Sequence, residues 1–163
     1  MAQSTGLLDE LVKEGKLVGF SAVADGEVPL PKSSDDICAV YEHEKLPLIS
    51  YPYEWSFETL KAAALFHLDL NLRALEHDIH LTDATAYNVQ FIGSKPIFID
   101  HGAFEPYQEG TPWIAHRQFC EQFLNPLLLQ AYRNIGFNAW YRGRLEGIAT
   151  SDLAVMLPHR AKF

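Results

Sequence analysis

The chain has 163 residues, 48 % of them hydrophobic, and a formal net charge of −8. That is the length of one domain with enough apolar content for a core, which excludes a disordered segment. The acidic balance argues against broad nucleic-acid binding, where phosphate neutralisation dominates affinity, and no apolar run approaches the roughly 20 residues of a membrane helix.

The charge is uneven, since residues 110–163 hold only three acids, Glu121, Glu146 and Asp152. The basic residues there read as solvated surface, although Arg142 and Arg144 are close enough in sequence to share an anionic ligand. Met1-Ala2-Gln3-Ser4 lacks the basic and apolar regions of a signal peptide. Cys38 and Cys120 have no metal-type spacing, and two thiols in this length fit a reducing, cytoplasmic compartment.

In chain order, Leu7, Leu8, Leu11 and Val12 fall at helical spacing, with Gly15 placed to cap the helix end. Residues 25–36 carry the Gly, Pro, Ser and Asp of a loop. Ile37–Glu44 and Pro47–Tyr51 read as two strands joined tightly around Glu44-Lys45. Tyr51 to Trp55 then forms a stiff aromatic connector. Phe57–His77 is the strongest helix, capped by Ser56 and stapled by Trp55 onto Leu60. Its Leu65, Leu68, Leu72 and Leu75 recur at 3,4,3 spacing, and Phe66 and Leu70 make a second apolar face, the pattern of a central helix.

A polar loop follows over Thr82–Asn88. Val89–Ile92 and Ile97–Asp100 form a hairpin through Gly93-Ser94-Lys95-Pro96. From Trp113 the spacing of Phe119, Phe123, Leu127 and Ala131 is helical. Pro126 predicts a break there, with Asn125 capping a second helix that ends at Gly136. Ser151 is placed to cap a last helix that stops before Pro158.

The chemistry concentrates in Asp83-Ala84-Thr85-Ala86-Tyr87-Asn88, the hairpin, and Asp100-His101-Gly102. The hairpin returns Asp100 towards Asn88, so three oxygen-bearing side chains can gather at one end. Such a set suits phosphoryl transfer: one carboxylate accepts a hydroxyl proton, while an amide oxygen and a second carboxylate hold Mg²⁺ against nucleotide phosphates. A transition-metal grouping of His77, Asp78, His80, Asp83, Asp100 and His101 is the competing expectation. His67 and Cys120 read as core, and Arg73 with Glu76 as a surface pair.

An Asp, four residues, an Asn, a hairpin and Asp-x-Gly resemble the catalytic centre of protein kinases and their small-molecule relatives, such as the aminoglycoside phosphotransferases. The resemblance implies an α+β fold: a mostly helical kinase-like C-lobe with a short N-terminal strand pair and a catalytic-loop hairpin. One domain over 1–163 would comprise a remnant N-lobe over about 1–51 and a helical body over 56–163 carrying hairpin 89–100. It makes Asp83 the catalytic base and Asn88 and Asp100 the metal ligands, with Mg²⁺ and ATP as cofactors. The chain departs from that pattern in several ways. Leu81 stands where the family has His, with His80 one place early, and Thr85 stands where many protein kinases place a Lys. His101 replaces the usual aromatic, no glycine-rich loop exists, and Lys16, Lys32 and Lys45 lack a nucleotide-gripping context. The chain is also short for a complete two-lobed kinase.

The stretch from Ile49-Ser50-Tyr51-Pro52-Tyr53-Glu54-Trp55 through Asp83–Phe91 to Phe98–Gly102 also resembles a bacterial module that precedes the S-adenosylmethionine-dependent domain of nodulation-type methyltransferases. No S-adenosylmethionine site is visible in this chain. The resemblance implies a kinase-like module, non-catalytic on its own, that binds substrate or positions a methyltransferase domain or partner chain. The alternative is an Mg–ATP-dependent phosphotransferase acting on a hydroxyl, hence a transferase if active. The short strand pair would leave unpaired edges, to be satisfied by docking on the helical body or by a homodimer.

Overall fold

A computed structural model describes residues 6–24, 27, 37 and 39–157. The predicted loop at 25–36 and Cys38 lie outside these residues, apart from Glu27. The architecture is α+β: among the described residues there are six α-helices and three separate two-stranded antiparallel sheets.

Helix α1 (Leu7–Lys13) buries Leu7, Leu8 and Leu11, and Gly15 supplies the left-handed φ of 69° just beyond its end. The chain then runs beside the later hairpin, where the Val18 amide donates to Phe98 O and the Phe98 amide donates to Lys16 O. β1 (Phe20–Ala22) pairs with β2 (Tyr41–His43), Phe20 facing His43. One expected member of the strand pair is therefore present, since β2 lies within Ile37–Glu44, but its partner is β1 rather than Pro47–Tyr51. β1 is only three residues long, too short for an alternating pattern to reveal it, and Pro47–Tyr51 is not a strand. Ser50 instead bonds the Gln90 side chain through both its amide and its carbonyl.

Pro52–Glu54 is a single 3-10 turn whose Tyr51 amide is satisfied by the Glu54 carboxylate. It leads into α2 (Phe57–Leu75), where Ser56 Oγ accepts from the Thr59 amide as its sequence position predicts. The buried face of α2 is Leu60, Ala63, Phe66, His67, Leu70, Asn71 and Ala74. The leucine stripe points elsewhere: Leu65 and Leu72 are 60 % and 64 % exposed. Of the two apolar faces in the sequence, the buried one carries small and polar residues, whose His67 and Asn71 bond the backbone of the following Leu81–Asp83 segment.

β3 (Ile79–Leu81) pairs with β6 (Phe104–Pro106), and between them β4 (Val89–Ile92) and β5 (Lys95–Phe98) form the expected hairpin. Its turn is only Gly93-Ser94, with Gly93 at φ 63°; Lys95 and Pro96 already belong to β5. Asp100 lies past the strand, where it caps a 3-10 turn over His101–Ala103.

The predicted break at Pro126 is absent. α3 (His116–Phe119), a π turn (Cys120–Leu124) and α4 (Asn125–Arg133) run on as one helix, and Asn125 is helical rather than a cap. Proline removes the amide that would bond back to Gln122 O. That carbonyl accepts the Tyr141 hydroxyl instead, and Glu121 O accepts the Ile148 amide at 2.9 Å. Residues from α5 (Asn138–Gly143) and the following loop thus supply what the proline takes away. Gly147 makes this possible, because a Cβ there would stand 2.3 Å from Glu121 O. The helix ends at Asn134, in the left-handed region at φ 54°, rather than at Gly136. α6 (Thr150–Met156) begins after Ala149 and contains Ser151 within its first turn.

Candidate functional site

The segment from Asp83 to Gly102 is closed at its neck. β3 enters it, β6 leaves it, and the Thr82 amide donates to Ala103 O across the gap. Buried and half-buried polar side chains then hold the loop. From α2, Asn71 Oδ1 accepts the Leu81 amide at 2.9 Å, and His67 Nε2–H donates to Asp83 O at 3.2 Å. From the α3 side, Gln118 takes the Ala84 amide on its oxygen and donates to Asp83 Oδ1 at 2.7 Å. One turn later, Gln122 Oε1 accepts both the Ala86 amide and the Thr85 hydroxyl. Trp113 Nε1 closes on Leu81 O. Burying amides is costly unless each is bonded, so these side chains give the loop one conformation.

The sequence places His67 in the core, as the structure does, but does not show that His67 and the two glutamines support the loop. The His67 ring sits among Phe98, Trp113, Phe119 and Phe123, and burial pushes its pKa down to about 4 despite the bond to Asp83. The i, i+4 spacing of Gln118 and Gln122 on a helix otherwise apolar towards the core is the signal that could have found them.

Asp83 presents a carboxylate whose Oδ1 already accepts from Gln118 and from the Thr85 amide. Asn88 and Asp100 meet directly, Asn88 Nδ2 donating to Asp100 Oδ2 at 3.2 Å, while Asp100 Oδ1 accepts the Gly102 amide at 3.0 Å. An adjacent amide and carboxylate fit a hard cation that keeps most of its water, and rotation of the Asn88 amide would turn its oxygen to the same side. On this donor set Asn88 and Asp100 are the residues that would hold Mg²⁺, whose chemistry would be to neutralise phosphate charge.

The transition-metal grouping does not form: among the described residues no three His, Cys, Asp or Glu side chains gather as metal ligands. His80 instead packs against Tyr107. Lys16, a candidate phosphate-gripping lysine, bonds Asp69 at 3.2 Å and lies 3.5 Å from Glu14. Lys32 lies outside the described residues. Arg73 bypasses Glu76 and makes a two-pronged contact with Glu14 at 2.6 and 3.0 Å. The pair holds the Glu14 carboxyl below its ordinary pKa, the Arg73 hydrogen bond being the main cause. Arg142 and Arg144 do not share a partner: Arg142 lies over the Tyr53 ring, and Arg144 approaches Glu146 and Asp152.

His101, the departure from the kinase-like triplet, is where the strand pair attaches. It stacks on Phe20 with ring centroids 4.3 Å apart, meets Tyr41 edge-on, and shares a 2.7 Å hydrogen bond between its Nδ1 and His43 Nε2. Burial lowers the His101 pKa, the neighbouring His43 lowers it further, and Asp100 opposes both. The expected docking of the strand pair on the body is thus observed, but through Phe20, Tyr41 and His43. Of the connector aromatics, Trp55 is buried, with its Nε1 on Ser50 Oγ and its ring edge-on to Phe91. Tyr51 stays largely exposed, stacked on Tyr53.

The chain is similar to the nodulation protein NoeA of Rhizobium meliloti strain 1021, with 50 % identity over 163 residues. The similarity takes in 99 % of this chain, which spans 34 % of that relative's length. No protein-family model and no solved structure matches the chain. Among the described residues no helix is long and apolar enough to cross a membrane.

Proposed function

We propose that this chain is a kinase-like module that does not itself transfer phosphate and instead serves a larger nodulation-type protein, by binding substrate or positioning a methyltransferase domain. The kinase-like reading is supported by the closed Asp83–Gly102 segment with Asn88 against Asp100. The non-catalytic reading rests on one observation: Lys16, one of the candidate phosphate-gripping lysines, is committed to Asp69 and Glu14. Phosphoryl transfer depends on cations aimed at the phosphates. The similarity to a protein about three times as long supports a role within a larger chain.

A phosphotransferase is the second reading, favoured by the contact between Asn88 and Asp100. There Asp83 would orient and deprotonate the acceptor hydroxyl, through the oxygen that Gln118 leaves free. Thermal unfolding with and without ATP–Mg²⁺ separates the two, because a ligand that binds only the folded state raises apparent stability. The module reading expects a midpoint unchanged by ATP–Mg²⁺. A rise of several degrees that disappears in Asp100→Ala would overturn it in favour of the enzyme.

A further inference from the structure

We propose that His43 and His101 form a two-histidine site for a borderline-soft divalent cation of the Zn²⁺ class, which staples the β1–β2 pair to the Asp100–Gly102 turn. The inference is independent of the kinase-like reading, since neither Asn88 nor the Asp100 carboxylate is needed for it.

The two imidazoles come from different parts of the fold and point ring nitrogens at each other, His43 Nε2 to His101 Nδ1, at 2.7 Å. Their planes are inclined by 41° and their centroids lie 4.8 Å apart. A Zn–N bond of about 2.0–2.1 Å, with ligand–metal–ligand angles between 90° and tetrahedral, implies ring centroids roughly 4.5–5.2 Å apart. The rings already have that separation, so a cation requires them to tilt and does not require the strands to move. His101 is held for the purpose by Phe20 on one face and Tyr41 at its edge. His43 is exposed, which leaves a route for the cation.

Chemically the exchange is simple. One proton lies between the two nitrogens in the neutral pair. The cation takes its place, two nitrogen–metal bonds form, and that proton passes through solvent to the other nitrogen of its own ring, so that both imidazoles bind neutral and no net proton is released. Imidazole nitrogen suits Zn²⁺, Ni²⁺ and Cu²⁺ and suits Mg²⁺ and Ca²⁺ poorly. With no third His, Cys, Asp or Glu joining the pair among the described residues, water fills the other positions. The site is therefore weaker than a four-ligand structural zinc centre. A net charge of −8 favours cation approach.

The test uses the tag-free full chain, titrated calorimetrically with ZnCl₂ and melted with and without about 0.1 mM of the salt. The expected result is one equivalent bound and a midpoint rise on the order of 3–5 °C. His43→Gln and His101→Phe should each abolish both, while MgCl₂ gives neither through this pair. Circular dichroism of the two variants verifies that they are folded at the titration temperature. His116 Nε2 and Cys120 Sγ lie 3.7 Å apart and are the competing soft pair. A response that survives in both His43 and His101 variants but is lost in His116→Ala would overturn the proposal. So would the absence of any zinc binding by the unaltered chain.

Discussion

The Asp83–Gly102 segment and the β1–β2 pair meet at His101, but they are held by opposite means. Hydrogen bonds from buried and half-buried side chains on two helices fix the loop before the hairpin, at Leu81, Asp83, Ala84, Thr85 and Ala86. Three backbone-paired residues per strand make up the sheet, and only Phe20 and Tyr41 of the six are even half-buried. Directional bonds inside a core leave one geometry. Ring contacts at a surface leave a docked element that can lift without unfolding the rest. The loop is therefore built as a fixed platform, and the strand pair as an attachment.

The comparison is broken most severely at the joint beneath the platform. In Gly147→Ala a methyl would stand 2.3 Å from Glu121 O, at a φ of +83° that already disfavours a side chain. Relief would displace the π turn carrying Gln122 and the Tyr141 bond to it. The expected loss is about 3 kcal/mol or more, read by urea denaturation. Gly93→Ala is the control, with φ +63° and open space around it, and should cost about 1–2 kcal/mol. Equal losses for the two would mean that the close approach at Gly147 is unimportant.

Gln122→Leu acts directly on the grip. It keeps the size of the side chain but strands the Ala86 amide and the Thr85 hydroxyl. An orphaned buried donor costs about 1–3 kcal/mol, so a loss on the order of 2 kcal/mol is expected. A neutral result would show that water replaces the glutamine and that the loop is less enclosed than its contacts indicate.

His67 adds a pH signature. Its folded pKa of about 4 lies below the ordinary 6.5, so the unfolded chain binds the extra proton first. Its contribution is intact above about pH 6.5, falls as pH drops towards 4, and is constant below that, a change on the order of 3 kcal/mol. His67→Phe should flatten this part of the stability–pH curve, at the cost of the bond to Asp83 O. An unchanged curve would place the acid sensitivity in other groups.

Much of the platform was legible in the sequence because it is local. The Asp-x₄-Asn spacing, the Gly93-Ser94 turn and the Ser56 cap each need only neighbours in the chain. What escaped depends on distant partners. Pro126 signals a helix break unless Tyr141 and Ile148 arrive to satisfy the carbonyls of a π turn. The leucine stripe of α2 outscores its small, polar face until the loop needs His67 and Asn71. β1 has no pattern at all over three residues, and its partner β2 lies nineteen residues beyond its end. Trp55 and Tyr51 are alike as anchors in the sequence, yet it is Trp55 that packs edge-on against Phe91 and donates to Ser50 Oγ.

The smallest effect tests the attached half of the comparison. Phe20→Ala removes the ring that stacks on His101 and leaves the loop and its glutamines untouched. Phe20 is half-buried, so the global loss should be on the order of 1 kcal/mol. Its consequence is local: hydrogen exchange should accelerate at the Glu44 amide, which donates to Gly19 O, and along β1 and β2. The Ala84 and Ala86 amides, bonded to Gln118 and Gln122, should keep their protection relative to global unfolding. If the two sets instead lose protection together, the strand pair and the platform open as one unit, and the division between them fails.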